Sequence, residues 1–536
     1  MTGKEKANLV TTCLEKLYDV GVKVAAFTCD GSSAHFSMLK SLGAKLDPNN
    51  LMPFFKHPSN SAIKIHVFLD ICHMLKLVRN AFSHYGILYD NDGNAIRWQY
   101  LTDLHNLQES EGVHLANKLR TAHINWHQQK MKVNLAAQSL SSSVADALDY
   151  CEDYLQIDKF KNCHPTTKFI RIFDQLFDIL NSRNPLAKNY KAPMRASNYQ
   201  RIDKFLNEAY SYIENIKDPS GNYITTSSRK TGFVGFLIAI KSIKALYNEL
   251  VAATSAPNFK YLLTYKISQD HLELFFAAIR SAGGWNNNPT ASQFISAYRQ
   301  LLMCNMIEGG QGNCTPQDST KILDNIEDQC NIESIPTGIS DIAIARRYDL
   351  ELREPVSNDH DYCDISNAVD ITEFKEAAIS YMAGFTAKAV KKKIGCPECV
   401  AALTQSEKEM SFVSWKSNGG LTIPSTSVLK VCRETEKCVA RMLKASSGNL
   451  PHCSGLLTAI STAVLAACVG SSIFDSLGEH MFDSTATNNH ISSLIKCCSQ
   501  CYAHIRLNHL AKRKTETLAG KKVRKQLSKL ILFNHQ

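Results

Sequence analysis

Residues 21–31, Gly-Val-Lys-Val-Ala-Ala-Phe-Thr-Cys-Asp-Gly, decide how the rest of the chain is read. Val22, Val24, Ala26 and Phe27 supply the β-branched and apolar content of a buried strand, which ends by presenting one carboxylate, Asp30. Gly31, Ser32 and Ser33 then offer a turn and a helix N-cap. In open α/β sheets chemistry gathers outside the carboxyl ends of the strands, which is where Asp30 would stand. Upstream, residues 3–20 read as an amphipathic helix with Leu9, Cys13, Leu14 and Leu17 on one face and Gly21 as its stop. Downstream, residues 33–42 read as a second helix stopped by Gly43. A polar loop containing Pro48, Pro53 and Pro58 follows, then a second strand over 63–69 ending at Asp70. The helical spacing of Met74, Leu75 and Val78 comes next. Two parallel strands joined through a helix make a right-handed βαβ unit. A unit this short needs more sheet, and none is legible immediately downstream.

The chain has 536 residues, which points to about three or four domains. Its 44% apolar and 21% charged residues are ordinary for a globular protein. Lys4 and Lys6 lead into an amphipathic run, unlike a secretory signal, and the longest apolar stretch, 456–469, is too short to span a bilayer. A soluble, intracellular protein is expected, with most of its 18 cysteines as buried reduced thiols. The net charge of +10 is concentrated in a closing run of Lys512, Arg513, Lys514, Lys521, Lys522, Arg524, Lys525 and Lys529. That run reads either as a solvated tail or nuclear-import signal, or as a contact for nucleic-acid phosphates.

From about 95 to 258 strand signals give way to helical periodicity, which predicts an all-α insertion. Within it Asp178 falls at a helix C-terminus, where the dipole disfavours a carboxylate, so it needs a partner or a use. Residues 261–280 read as a capped helix: Ser268 as N-cap, Asp270 in the first turn, and Leu272, Phe275, Phe276 and Ile279 facing a core. Asp270 and Glu273, three apart, share a side of that helix. A polar linker over 305–340 and a helical region over 341–510 follow. The latter holds Cys396 and Cys399 in a C-x2-C knuckle, and Cys497, Cys498, Cys501, His504 and His509 near its end. Cys396 and Cys399 with His504 and His509 fit zinc-ligand spacing locally, though the interval between the pairs far exceeds that of a compact finger. Buried free thiols are the competing reading.

A strand-end carboxylate and a later helical carboxylate, separated by a helical insertion, suit metal-dependent phosphoryl transfer. Mg2+ takes carboxylate oxygens and keeps several waters, so two or three acids from different elements suffice. Two ions about 4 Å apart can activate an attacking hydroxyl and stabilise the leaving oxygen. Acidic residues are common, so spacing alone does not establish such a site.

The stretches FTCDG, DICHMLKLVRN, LFDILNSRN, GFVGFL, LLTYKISQDHLELFFAAIRSAGGWNNNPT and YMAGF with CPEC, taken in order, resemble a P-element-type DNA transposase of the THAP-domain transposase family. The resemblance implies a mixed α/β, mostly α protein: a partial RNase H-like fold over 1–94, an all-α, guanine-nucleotide-binding-like insertion over 95–258, and the returning catalytic helix over 259–304. A linker, a helical C-terminal domain over 341–510 and a basic tail over 511–536 would complete it. In the RNase H-like order, residues 3–20 become the first helix and the strand before Asp30 the fourth. Asp30 is then the second catalytic acid and Glu273 the third, both as Mg2+ ligands. Asp70 is the runner-up, with capping of the next helix as its other role.

Asp178 and Asp270 are implied as acceptors for the donor edge of a guanine, with GTP as the nucleotide, although the chain has no phosphate-cradling G-x4-G-K-S/T loop. DNA, met through Lys512, Arg513, Lys514, Lys521, Lys522, Arg524 and Lys525, is the implied partner. A nuclear location and a homo-oligomer are further implications. The strands and first acid that precede the first helix in this plan, and an N-terminal Cys/His finger, lie outside the sequence. The expectation is therefore an ancestral strand-cleavage and strand-transfer activity that this chain alone does not perform. The alternative is a non-enzymatic DNA- or protein-binding remnant.

Overall fold

In the computed structural model, which describes residues 1–116, 118–253, 259–282, 288–304, 371–405, 412–417, 419–446, 455–468, 471–478 and 489–517, the strand before Asp30 forms as β1 (Ala26–Cys29). It follows α1 (Gly3–Asp19) and leads through Gly31 into α2 (Ser33–Ser41). The strand is shorter than its apolar run, and Val22 is exposed. The α1 face also differs from expectation: Leu9 and Cys13 are exposed, whereas Gly3, Ala7 and Leu14 are buried. A capping box between Thr2 and Glu5 starts the helix, and it turns its small residues to α2, with Gly3 so close to Ser37 that a side chain there would collide. Close approach, rather than leucine count, selects the buried stripe.

The stretch read as a polar loop supplies the missing sheet. β2 (Lys45–Asp47) and β3 (Asn50–Met52) form a hairpin, and β4 (Phe54–Lys56) pairs antiparallel with β5 (Lys64–Leu69) in register Phe54↔His66. Pro48 occupies the hairpin turn, and Pro53 and Pro58 flank β4, so none interrupts a ladder bond. β1 and β5 are parallel, Ala26↔His66 to Cys29↔Leu69, and the sheet order is β1-β5-β4. α3 (Ile71–Tyr85) follows β5, and a hairpin of β6 (Ile87–Tyr89) and β7 (Ala95–Arg97) follows α3.

Helices then dominate: α4 (Gln99–Glu111), α5 (Thr121–Ile124), α6 (Val133–Ser139), α7 (Ser142–Asp149), α8 (His164–Leu180), α9 (Ala196–Glu214) and α10 (Thr231–Leu250). α10 is buried on nearly every face because it is shared between the helices and the sheet. Its Ser242 Oγ donates to Val67 O of β5 at 2.6 Å, and its Gly232 lies against the α3 backbone, where a Cβ would stand 2.8 Å from Val78 N.

α11 (Asp270–Ala282) and α12 (Ala291–Cys304) belong to a separate compact unit, residues 270–370. Within it Phe275 meets Phe294 and Tyr298 edge-on. Leu274 and Ile279 are buried, whereas Leu272 and Phe276, expected to face a core, are exposed.

The C-terminal helices are α13 (Glu373–Lys391), α14 (Pro397–Ala401), α15 (Phe412–Lys416), α16 (Thr426–Ala445), α17 (Leu456–Cys468) and α18 (His490–Thr517). They enclose a second core around Val431, Cys432, Leu494 and Cys498, and belong to the same compact unit as residues 1–269. No disulfide joins the cysteines whose side chains are described, and most of these are buried. No helix among the described residues is long and apolar enough to cross a membrane.

Candidate functional site

The parallel register that ends at Cys29↔Leu69 makes Asp30 and Asp70 leave the sheet side by side, on strands about 4.8 Å apart. Their surroundings differ. Asp70 is buried: Oδ2 accepts His73 N at 2.9 Å as the N-cap of α3, and Oδ1 accepts Gln269 N at 3.2 Å. Asp30 keeps 53% of its side chain exposed, with His73 Nδ1 at 3.8 Å. Gly31 gives the turn its shape. Its φ of +75° is left-handed, and a Cβ would stand 3.0 Å from Leu69 Cδ1. Ser32 then caps α2 by accepting His35 N at 3.3 Å. The result is an open carboxylate on a fixed turn. Burial raises the neighbouring Cys29 thiol to about 11, so it is not a thiolate near neutral pH. Burial and Lys6 lower the His35 pKa, against the pull of Asp30.

The segment before α11 returns to this edge: Thr28 Oγ1 donates to Ile267 O at 2.8 Å. On its way it closes the end of α8. Thr264 Oγ1 donates to Ile179 O at 2.5 Å and accepts Ser182 N at 2.9 Å, while Ser182 Oγ donates to Lys191 O at 2.7 Å. Asp178, one turn from these bonds, has Lys191 Nζ at 3.7 Å. Burial raises its carboxyl to about 6, with Lys191 opposing the rise and Asp174 adding to it. The expected partner near the helix end is thus Lys191. Neither Thr264 nor Gln269 carries a sequence signal for these long-range bonds. Asp270 and Glu273 occupy the first turn of α11, and Glu273 is exposed.

The zinc-ligand expectation needs a correction. Cys396 and Cys399 are joined by His490, not by His504 and His509: donor atoms of these three residues all lie within 4.8 Å of one another. His504 stands 14 residues along α18 from His490, about 21 Å away at the helical rise. His504 and His509 instead line a cavity of about 580 Å³, where the His509 ring packs 4.6 Å from that of His114. No local spacing links His490 to the cysteine pair, and only the fold brings it near. Lys512, Arg513 and Lys514 continue α18, but their side chains, like Lys521, Lys522, Arg524 and Lys525, lie outside the described residues.

Four family models match the chain. These are the TNP-like RNase H N-terminal domain over 1–43, the TNP-like GTP-binding insertion domain over 72–193, the TNP-like RNase H C-terminal domain over 265–299, and the DNA transposase THAP9 C-terminal domain over 370–512. The chain is 32% identical to DNA transposase THAP9 of Homo sapiens over 95% of its own length and 56% of that protein's. It is 24% identical to the Transposable element P transposase of Drosophila melanogaster over 79% of its length and 52% of that protein's. It therefore spans about half the length of these relatives. A chain of the Drosophila P element transposase strand transfer complex aligns with a TM-score of 0.48 and 25% identity, over 55% of this chain and 63% of that one. Two RNase H-like matches parted by a GTP-binding insertion match and followed by a THAP9 C-terminal match, with THAP9 similar along nearly the whole sequence, show strong homology of the chain to the P-element-type DNA transposases.

Proposed function

We propose that the chain forms part of a Mg2+-dependent DNA transposase, in which activated water cleaves a strand and the freed 3′-hydroxyl attacks target DNA. The observation that carries this reading is the open carboxylate of Asp30 at the carboxyl edge of β1, beside an Asp70 already committed to hydrogen bonds within the fold. Asp30 and Glu273 would be the Mg2+ ligands, because both are exposed carboxylates able to meet a hydrated hard ion. Asp70 would fix α3 and Gln269. The domain plan that accompanies this reading is an RNase H-like domain over 1–94 and 259–304, an insertion over 95–258 and a helical C-terminal domain over 341–510.

The decisive experiment uses purified chain with Mn2+ as the metal probe and a DNA duplex as substrate. Paramagnetic relaxation of water should report Mn2+ binding that Asp30→Asn and Glu273→Gln each weaken by about tenfold or more. Equal binding by all three proteins would sink the ligand assignment. Mg2+-dependent nicking, lost in Glu273→Gln, would show that the chain cleaves by itself. Salt-sensitive DNA binding with no metal dependence would favour the non-enzymatic binding role instead.

The same reading gives the insertion a guanine nucleotide. Asp178 and Asp270 would accept from the guanine edge, a task the partly buried Asp178 can perform once ionised. GTP should raise the melting temperature of the chain, and Asp178→Ala should remove that rise. The basic run would hold DNA phosphates, so affinity should fall steeply with salt, and the site of action would be the nucleus.

A further inference from the structure

We infer that Cys396, Cys399 and His490 form a zinc-binding site that ties the short helix α14 to the start of α18. The three donors come from sequence positions up to 94 residues apart, yet all their ligand atoms fall within 4.8 Å of one another. Cys399 Sγ stands 3.3 Å from His490 Nδ1. Thiolate and imidazole ligands at about 2.3 Å and 2.05 Å from a tetrahedral zinc stand about 3.6 Å apart, so the observed spacing needs only a small adjustment.

The scaffold explains why these donors converge. Cys396 is the N-cap of α14, and its carbonyl accepts Val400 N at 3.0 Å. The C-x2-C spacing on that first turn puts both thiols on one side, and Cys399 is buried against the C-terminal core. At the other end Asn489 accepts Ser492 N at 2.9 Å through its side chain, which fixes the first turn of α18 and the place of His490. Two soft sulfur ligands and an imidazole suit zinc rather than the hard Mg2+ proposed for the carboxylates. Three protein donors leave a fourth tetrahedral position for water or a further donor. The site lies in the C-terminal helices and does not depend on the transposase reading.

Elemental analysis of the purified, desalted full chain should find about one zinc per chain, as a single tetrahedral site requires. Cys399→Ser and His490→Ala should lose it, whereas His504→Ala and His509→Ala should retain it. Should the first two variants fail to fold, the wild-type protein still decides. Mass-spectrometric mapping should find Cys396 and Cys399 shielded from alkylation until a zinc chelator is added. Absence of zinc from the wild-type chain, or its retention at the same stoichiometry in a folded Cys399→Ser protein, would overturn the site. So would shielding that a reductant relieves and a chelator does not, because that marks a disulfide.

Discussion

Asp30 and Asp70 show how the same residue type at two adjacent strand ends acquires different work. Asp70 holds the first turn of α3 and the backbone of Gln269, so Asp70→Ala should destabilise the protein by about 1–3 kcal/mol. Asp30→Ala, at an exposed position, should change stability by less than about 0.5 kcal/mol. Urea titrations of the two variants check the contrast, and equal losses would show that Asp30 too is structural. Asp178 adds a pH signature. Its carboxyl is raised from 3.8 to about 6 chiefly by burial, so folding favours its protonated form. Its stabilising contribution is therefore full below about pH 4 and lost as pH rises through about 6. Asp178→Asn should consequently raise stability at pH 8 by about 1–3 kcal/mol and have little effect at pH 4. Melting curves at the two pH values measure this. GTP, if it binds an ionised Asp178, should bind more weakly below pH 6.

At the scale of elements, two contacts set the predictions. α10 meets α3 through Gly232 and Gly235, and the two glycines face different neighbours. A Cβ at Gly232 would press on the Val78 backbone nitrogen, whereas at Gly235 it would press on the flexible Met74 side chain. Gly232→Ala should cost about 1–3 kcal/mol despite its better helix propensity, and Gly235→Ala should cost less. Thermal melts of the pair test the order. In the C-terminal helices Arg506 binds the buried Glu436 through Nε at 2.7 Å and Nη2 at 2.8 Å, and Tyr502 donates to the same carboxylate at 3.0 Å. Arg506 also donates to Gly112 O at 2.9 Å, joining α18 to the end of α4. Arg506→Ala would strand a buried carboxylate and should cost about 3–5 kcal/mol. A loss below 1 kcal/mol in urea titration would mean that water reaches Glu436.

At the scale of the molecule, the sheet is completed by partners far along the chain. Ser242 reaches Val67 across 175 residues, and Thr28 reaches Ile267 across 239. A fragment ending at residue 94 should therefore lack cooperative unfolding, and one extended to residue 269 should regain it. A sharp melt of the shorter fragment, followed by circular dichroism, would contradict that dependence.

The amino-acid sequence by itself determined the features that rest on neighbouring residues. The strand leading to Asp30, the turn at Gly31, the cap at Ser32, the parallel strand ending at Asp70 and the long helices all follow from patterns repeated within a few residues. Motif order along the chain was also sufficient to reveal the family. Tertiary structure alone decided what depends on distant packing. β4 has three residues and no periodicity to read, so it exists only because β5 offers it an edge. The buried face of α1 was set by how closely α2 can approach, and Leu272 and Phe276 of α11 stay exposed where apolar spacing predicted a core. His490 joined the cysteine pair from 91 residues beyond Cys399, a separation that no local spacing encodes. Local backbone preference specifies elements, whereas the choice of which faces and side chains meet is made by packing across the whole chain.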